Sequence, residues 1–458
     1  MSKHERFNFA NLDELRNKVA ELDCDIKLSE DISALANPVQ VGNKVSPNSI
    51  AILPMEGCDC DLHGAPTDLT RRRYLRFARG GAGLLWWEAC AVVPEGRANP
   101  LHMMLVEENK GAFAALLKEV KRESSKQHMA EKQALHILQL THAGRYSRPE
   151  GHKMTPIISH HDPILDSRIG IDTSYPLVTD AYLDDLPGHY VKAALLAQEC
   201  GFDGVDIKAC HRYLIGELLA SHQRRGKYGG SFENRSRLLL KIIREVRKAV
   251  SPDFILAVRF NVYDAHPYPF GFGVKPQKGS TEYDLNEPVL LAKQLVEEGV
   301  QLICTSAGNP YSNSPYVPRP FDTPVIGAPT PCEHPLEGVE RLFKLTHEIQ
   351  EAVGDIPVIG SGYSWLREFM PFVGAANLAL GRCSFVGLGR LAFAYPDAPH
   401  EMLKGSLSKE KVCIACSKCT QIMRDHGQTG CVIRDSEVYA PLFKEARESA
   451  LKRSVTAQ

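Results

Sequence analysis

The sequence predicts an α/β protein built on a (β/α)8 barrel, and three observations predict it. Short β-branched or apolar runs recur along the chain, amphipathic helical stretches separate them, and the segments after several runs are long and rich in Gly, Pro and Tyr. Continuous apolar runs mean strands buried on both faces, the signature of a parallel sheet covered by helices. Eight such units fit a closed barrel better than an open doubly wound sheet. No sequence repeat accompanies the rhythm.

The elements follow in order. Residues 1–47, with NLDELRNKVAEL, read as a helical N-terminal extension, and the barrel is expected over 48–395. Its runs are SIAILPM (49–55), GLLWWEACAV (83–92), ALHILQLTH (134–142), GVDIKAC (204–210), FILAVRF (254–260), QLICTSAG (301–308), IPVIGSG (356–362) and NLALGRC (377–383). Between them, GHYVKAALLAQECGF, ENRSRLLLKIIREVRKAV and NEPVLLAKQLVEEGV carry apolar residues at helical spacing. The long segments after the third to sixth runs elaborate the face on which barrels build their sites. Residues 396–458 form an appendage that carries four cysteines.

Composition removes several function classes. Lys+Arg 54 against Asp+Glu 55 leaves a net charge of −1 with no basic tract, so neither a nucleic-acid footprint nor a polybasic membrane surface is expected. The longest mostly apolar run, GAGLLWWEACAVV, has 13 residues and includes Glu88, too short and too polar to span a bilayer. The opening MSKHERFNFA lacks the apolar core of a signal peptide. Thirteen cysteines without an export signal point to a reducing cytoplasm, where clustered cysteines more often hold metal than pair as disulfides.

Polar residues stand where barrel strands should be apolar. The third run brings Gln139, His142 and Arg145 to the rim, the fourth Lys208, His211 and Tyr213, and the fifth Arg259. One such charge reads as a structural ion pair. Several at one mouth read as a site for an anion or polar ligand. The last two runs add Gly360, Ser361 and Gly362, then Gly381 and Arg382, in the place where barrels cradle phosphate. GLGRLA (387–392) matches a dinucleotide fingerprint but has neither a βαβ unit nor an acidic ribose ligand after it, and reads as chance.

The closing group is Cys413, Cys416, Cys419 and Cys431, a C-x2-C-x2-C-x11-C spacing. Three thiolates at i, i+3 and i+6 can wrap one side of a cubane while a distant fourth takes the remaining iron. Structural zinc is the alternative, although zinc ligands usually come as two C-x2-C pairs.

These motifs carry a resemblance. LPMEG, WEACAV, LQLTHAGR, GFDGVDIKACHRYLIGELLASHQRRGKYGGSFENRSRLL, VRF and the closing LALGRCSF…FAYPD resemble the old yellow enzyme family of FMN-dependent barrel oxidoreductases, from about residue 40 to the end. The resemblance implies that Pro54, Met55 and Ala89 pack the flavin, Gln139 bonds its pyrimidine edge, and Arg259 sits near N1–C2=O. It implies Gly360–Gly362 and Gly381–Arg382 at the phosphate, His211 at the substrate and Tyr213 as proton donor. Lys208 stands where many members carry a histidine.

The cysteine spacing resembles the family's iron–sulfur branch, typified by 2,4-dienoyl-CoA reductase and trimethylamine dehydrogenase, and implies a [4Fe–4S] cluster. Glu56 occupies the dehydrogenase's flavin-linking cysteine position, so FMN is expected to be non-covalent. The expectation is a cytoplasmic reductase of an activated C=C bond in a small molecule, fed by NAD(P)H or a one-electron carrier. Amine oxidation and a zinc-stapled scaffold are the alternatives. Those relatives continue into nucleotide-binding domains, so a separate electron-transfer protein or reductase is expected to dock near the appendage. A homo-oligomer is compatible with all of this.

Overall fold

The structure, a computed structural model, describes residues 3–128, 133–311 and 320–456. Eight strands close a barrel: β1 (Ile50–Ile52), β2 (Leu84–Ala91), β3 (Leu135–Thr141), β4 (Gly204–Ala209), β5 (Ile255–Tyr263), β6 (Leu302–Ala307), β7 (Val358–Gly360) and β8 (Phe385–Leu388). Every neighbouring pair is parallel, and β8 returns to β1 through Val386 opposite Ile50 and Leu388 opposite Ile52. Inward residues such as Ala51, Trp86, Ile137, Ala257 and Phe385 form one apolar cluster. Their neighbours Ile52, Trp87, Leu138, Val258 and Val386 belong to a second, larger cluster under the helices. Alternate side chains thus fill the barrel and the layer around it, which is why the strands read as unbroken apolar runs.

A barrel helix follows each strand: α1 (Asp68–Arg79), α2 (Lys110–Ser125), α3 (Asp180–Cys200), α4 (Phe232–Ala249), α5 (Asn286–Glu297), α6 (Pro335–Val353), α7 (Met370–Ala379) and the short α8 (Arg390–Ala394), with extra short helices at Pro163–Ile169 and Leu214–Leu219 in the loops after β3 and β4. In α4, Ser231 caps the N-terminus through Asn234 N, and Leu238, Leu239, Ile242, Ile243 and Val246 are buried at helical spacing. Among the described residues no helix is long and apolar enough to cross a membrane.

Two expectations change. The eighth strand is Phe385–Leu388, and the run 377–383 instead ends α7 and turns at Gly381, whose φ is +65°. A central barrel strand must be buried on both faces. Phe385, Val386 and Leu388 are fully buried, whereas Leu380 is 55% exposed. The N-terminal segment is not wholly helical either. After a helix at Leu12–Glu21 it forms an antiparallel hairpin, Val39–Val41 with Lys44–Ser46, turned at Gly42 in the left-handed region. Val41 joins the barrel-interior cluster, so the hairpin closes the end opposite the mouth.

The appendage carries helices at Lys418–Arg424 and Ser436–Thr456. It is tied to α1 by Asp435, which accepts two 2.8 Å bonds from Arg72 and pairs with Arg76. Thr429 N donates to Gly57 O at 2.6 Å, just after β1.

Candidate active site

The cavity at the C-terminal ends of the strands, about 240 Å3, is lined by Pro54, Met55 and Glu56 after β1, and by Lys208 and His211 from β4 and its turn. Arg259 of β5, Ser361 and Gly362 after β7, and Gly389 and Arg390 after β8 complete the barrel side. The appendage supplies the facing wall, with Ser417, Cys419, Thr420, Met423 and Arg424. The mouth is thus built jointly by barrel and cysteine segment.

The turn after β4 aims its side chains by an unusual backbone. His211 and Arg212 both lie at positive φ, +61° and +59°, a conformation that costs β-carbon-bearing residues energy. It is held by Arg212, fully buried, which bonds Asp162 at 3.2 Å, Asp264 at 3.3 Å and Phe270 O at 2.7 Å. His211 Nε2 lies 3.0 Å from Ser306 Oγ, and Tyr213 then opens a buried helix at Leu214–Leu219.

Glu56 is the hub. Its Oε1 accepts from Lys208 Nζ at 2.7 Å, and Tyr213 OH stands 2.9 and 3.1 Å from its two oxygens. Lys208 Nζ also sits 3.7 Å over the Tyr213 ring, and Tyr213 OH lies 2.8 Å from Tyr311 OH. Burial alone would raise the Glu56 carboxyl, yet Lys208 and the Tyr213 bond draw it down to about 2. The Tyr213 phenol moves the other way, well above its ordinary range, because of burial and the Glu56 charge. Together they make a charged carboxylate, a paired ammonium and a firmly protonated phenol.

Other expected residues fall elsewhere. Gln139 is buried below the mouth, where its amide donates to Asp206 Oδ2 at 2.5 Å, and Ala89 is buried beside it in the β2–β3 ladder. Gly360 is packed against Thr346, Tyr363 and Cys383 and does not line the cavity. His142 bonds Tyr182 OH at 2.8 Å, and Arg145 is clasped by Glu217 and Asp166, so both are structural. Gly381 and Arg382 are corrected outright. They precede β8, and Arg382 bonds Asp25 O at 3.0 Å and Asp25 Oδ2 at 2.6 Å in the N-terminal segment. The residues that reach the mouth from β8 onwards are Gly387, Gly389, Arg390 and Phe393, the first three inside the GLGRLA stretch set aside as chance. Glu56, Tyr311 and Arg390 were missed as functional residues. Only the G-x-G-R spacing after an apolar run signalled the last of them.

The four cysteines do come together. Cys413, Cys416, Cys419 and Cys431 line one small cavity, which shares Arg390, Phe393, Ser417 and Cys419 with the mouth. Ala415 N donates to Cys413 Sγ at 3.4 Å and Arg434 N to Cys431 Sγ at 3.2 Å. Ala415 and Ser417 both hold positive φ to wrap the loop. Among the described residues, no three His, Cys, Asp or Glu side chains form a ready-made site for a single metal ion.

The sequence profile of the NADH:flavin oxidoreductase / NADH oxidase family matches residues 34–272. A protein named NADH oxidase from Thermoanaerobacter brockii is 30% identical over 82% of this chain and 52% of its own length. Among solved structures, a 2-naphthoyl-CoA reductase complex superposes with a TM-score of 0.70 at 20% identity, covering 88% of this chain and 57% of that one. Histamine dehydrogenase from Rhizobium sp. 4-9 gives 0.65 at 20% identity, covering 88% and 52%. The chain therefore spans little more than half the length of these three proteins.

Proposed function

The chain belongs to the NADH:flavin oxidoreductase / NADH oxidase family, and from that premise we propose that it reduces an activated C=C bond with FMN held at the barrel mouth. The observation that carries this reading is the Glu56–Lys208–Tyr213 set beside His211.

The mouth suits FMN. Arg259 Nε is buried without a partner among the described residues, a donor waiting for an acceptor. Gly389 leaves a gap that a β-carbon would narrow to 3.6 Å from Met55 Sδ. We assign Pro54, Met55 and Arg259 to the flavin ring, and Ser361, Gly362 and Arg390 to its phosphate. Gln139 and Ala89 support the floor. When bound, FMN supplies hydride to the β-carbon of the substrate. His211 and Lys208 hold the substrate's electron-rich oxygen, and Glu56 orients Lys208 through its 2.7 Å bond. The Tyr213 hydroxyl delivers the proton to the α-carbon, and its raised pKa suits it to be a donor rather than a base.

The cysteine cavity fits a polynuclear iron–sulfur cluster better than zinc. Zinc ligands usually come as two C-x2-C pairs, whereas these four run C-x2-C-x2-C-x11-C and line one cavity. Backbone N–H bonds to two of the sulfurs suit cluster thiolates. Because the cavity meets the mouth at Cys419, we propose that electrons pass between a docked electron-transfer protein and the flavin there, with NAD(P)H as a direct donor at the mouth.

Tyr213→Phe tests the assignment. It should leave FMN binding unchanged while turnover of an α,β-unsaturated acid or ketone falls by roughly 10²–10⁴-fold. Turnover at the parent rate, with chemistry limiting, would exclude Tyr213 as the donor.

A further inference from the structure

Asp206 is a buried carboxyl for which the chemistry proposed at the mouth has no use. It lies on the same face of β4 as Lys208 and two residues before it, one layer beneath the mouth that Lys208 lines. Donors from three strands meet it. Oδ2 accepts from Trp86 Nε1 of β2 at 3.0 Å and from Gln139 Nε2 of β3 at 2.5 Å, and Oδ1 accepts from Arg259 N of β5 at 2.6 Å. The side chain is fully buried and forms no ion pair among the described residues.

Two of these donors come from residues already placed at the flavin. Arg259 reaches the mouth with its guanidinium, and Gln139 supports the floor. A carboxylate can only accept, so it fixes the Gln139 amide with its nitrogen towards Asp206. A protonated carboxyl can donate to the amide oxygen instead, which lets the amide turn over. The charge on Asp206 therefore governs both the field beneath the mouth and the polarity of the group above it. An uncharged side chain would fill this place at lower cost, since an ionised carboxyl without a cation partner is expensive to bury.

We infer that Asp206 is a positioning residue for the flavin: its negative charge, beneath Gln139 and Arg259, opposes the charge that arrives when the ring is reduced, and so sets how firmly reduced FMN is held relative to oxidised FMN. The inference rests on the proposed flavin site and adds the group that tunes it. A hydride brings two electrons and one proton, which leaves the ring one unit more negative. Arg259 attracts that charge, ionised Asp206 repels it, and protonated Asp206 does neither. Burial pushes Asp206 up to about 7, against the bonds from Gln139 and Arg259 N, the Arg259 charge and the Trp86 bond. The groups that face it titrate elsewhere. Burial raises Cys210 to about 11, Cys304 to about 12 and the Tyr190 phenol above its ordinary range. Arg259 lies above its ordinary value because Cys304, Cys210 and Asp206 outweigh its burial, and Lys208 is paired with Glu56.

The test compares the FMN-loaded parent with Asp206→Asn by spectroelectrochemistry on both sides of neutral pH. Asn keeps the shape and carries no charge at any pH. At about pH 8.5 the variant should hold reduced FMN, relative to oxidised FMN, about 10-fold more firmly than the parent, a midpoint about 30 mV higher for a two-electron couple. The gap should close as pH falls below about 7, where Asp206 is itself neutral. No gap, or one of the same size at every pH, overturns the inference, because lost packing does not follow the ionisation of one carboxyl. A second measurement needs no change at Asp206. The indole N–H of Trp86, assigned among the three tryptophans by Trp86→Phe, reports the carboxyl's titration by proton–nitrogen NMR. By reciprocity its midpoint should lie about one pH unit higher with FMN reduced by dithionite than with FMN oxidised. An unmoved midpoint overturns the inference even where Asp206→Asn does not fold. A protein that takes up no FMN sinks the flavin reading and this inference together, whereas firmly bound FMN with a pH-independent gap sinks the inference alone.

Discussion

Glu56 sets the electrostatics at the mouth: burial and its charge together hold the Tyr213 phenol well above its ordinary range. Glu56 follows Leu53–Pro54–Met55 just after β1, inside the LPMEG motif, which marked the flavin-facing turn but not the charges that meet there. The fold brings Lys208 and Tyr213 to the two oxygens of Glu56 from 152 and 157 residues away. Removing one partner of a buried pair leaves the other uncompensated, so Glu56→Gln should cost about 3–5 kcal/mol near neutral pH. The sign with pH follows from the lowered carboxyl. A group drawn from 4.5 to about 2 on folding contributes fully above pH 4.5 and loses that contribution as pH falls through about 2. Urea unfolding should therefore show parent and Glu56→Gln well separated at pH 7 and converging from pH 4.5 downwards. A gap that stays constant across that window would mean the carboxyl is not charged in the folded protein.

At the scale of the element, the barrel was legible and its last strand was not. Seven of the apolar runs fell on β1 to β7 because strands buried on both faces read as near-continuous apolar runs, broken only by isolated polar residues such as Gln139 and Lys208. The eighth failed because NLAL is as good a helix end as a strand start, and only burial separates them: Leu380 lies in water, Phe385 in the barrel. That slip carried the phosphate assignment with it, from Arg390 to Arg382. Lys208, His211, Tyr213 and Arg259 were legible since a charge or phenol in an apolar run is conspicuous. Tyr311 and Glu56 were not, because what matters is their contact across the mouth. The two arginines now make opposite predictions. Arg390→Ala should weaken FMN retention by about 10-fold or more, the worth of a charge-assisted bond. Arg382→Ala, which breaks a contact with Asp25 on the far side, should leave retention unchanged. Equilibrium dialysis of FMN against each variant reads the difference, and the reverse order would return the phosphate to Arg382.

Across the whole molecule, the cysteine segment acts as the missing wall of the barrel mouth. Ser417, Cys419, Thr420, Met423 and Arg424 face the mouth cavity, while Cys413, Cys416, Cys419 and Cys431 face their own cavity immediately behind. The loop between them holds Ala415 and Ser417 at positive φ, a conformation that costs residues carrying a β-carbon energy. Metal binding contributes folding energy directly, so if the four thiols hold a cluster the wall should depend on it, alongside its ties to the barrel: Asp435 with its arginines, Thr429 N to Gly57 O, Asp322 N to Ala415 O at 3.0 Å and Ile326 N to Gln421 Oε1 at 2.8 Å. Anaerobically purified protein should contain about four iron and four sulfide per chain; a single zinc would return the site to a structural staple. Stripping the metal with a chelator should speed amide exchange across 411–435 and, because that segment closes the mouth, also hasten FMN loss, while β1 to β8 keep their protection. Asp435→Ala should produce a milder version of the same opening, about 10-fold in exchange rate, since an ion pair open to solvent on one side contributes on the order of 1 kcal/mol. If metal removal leaves both exchange and FMN retention as they were, the appendage stands on its own packing and the cluster is not what completes the active site.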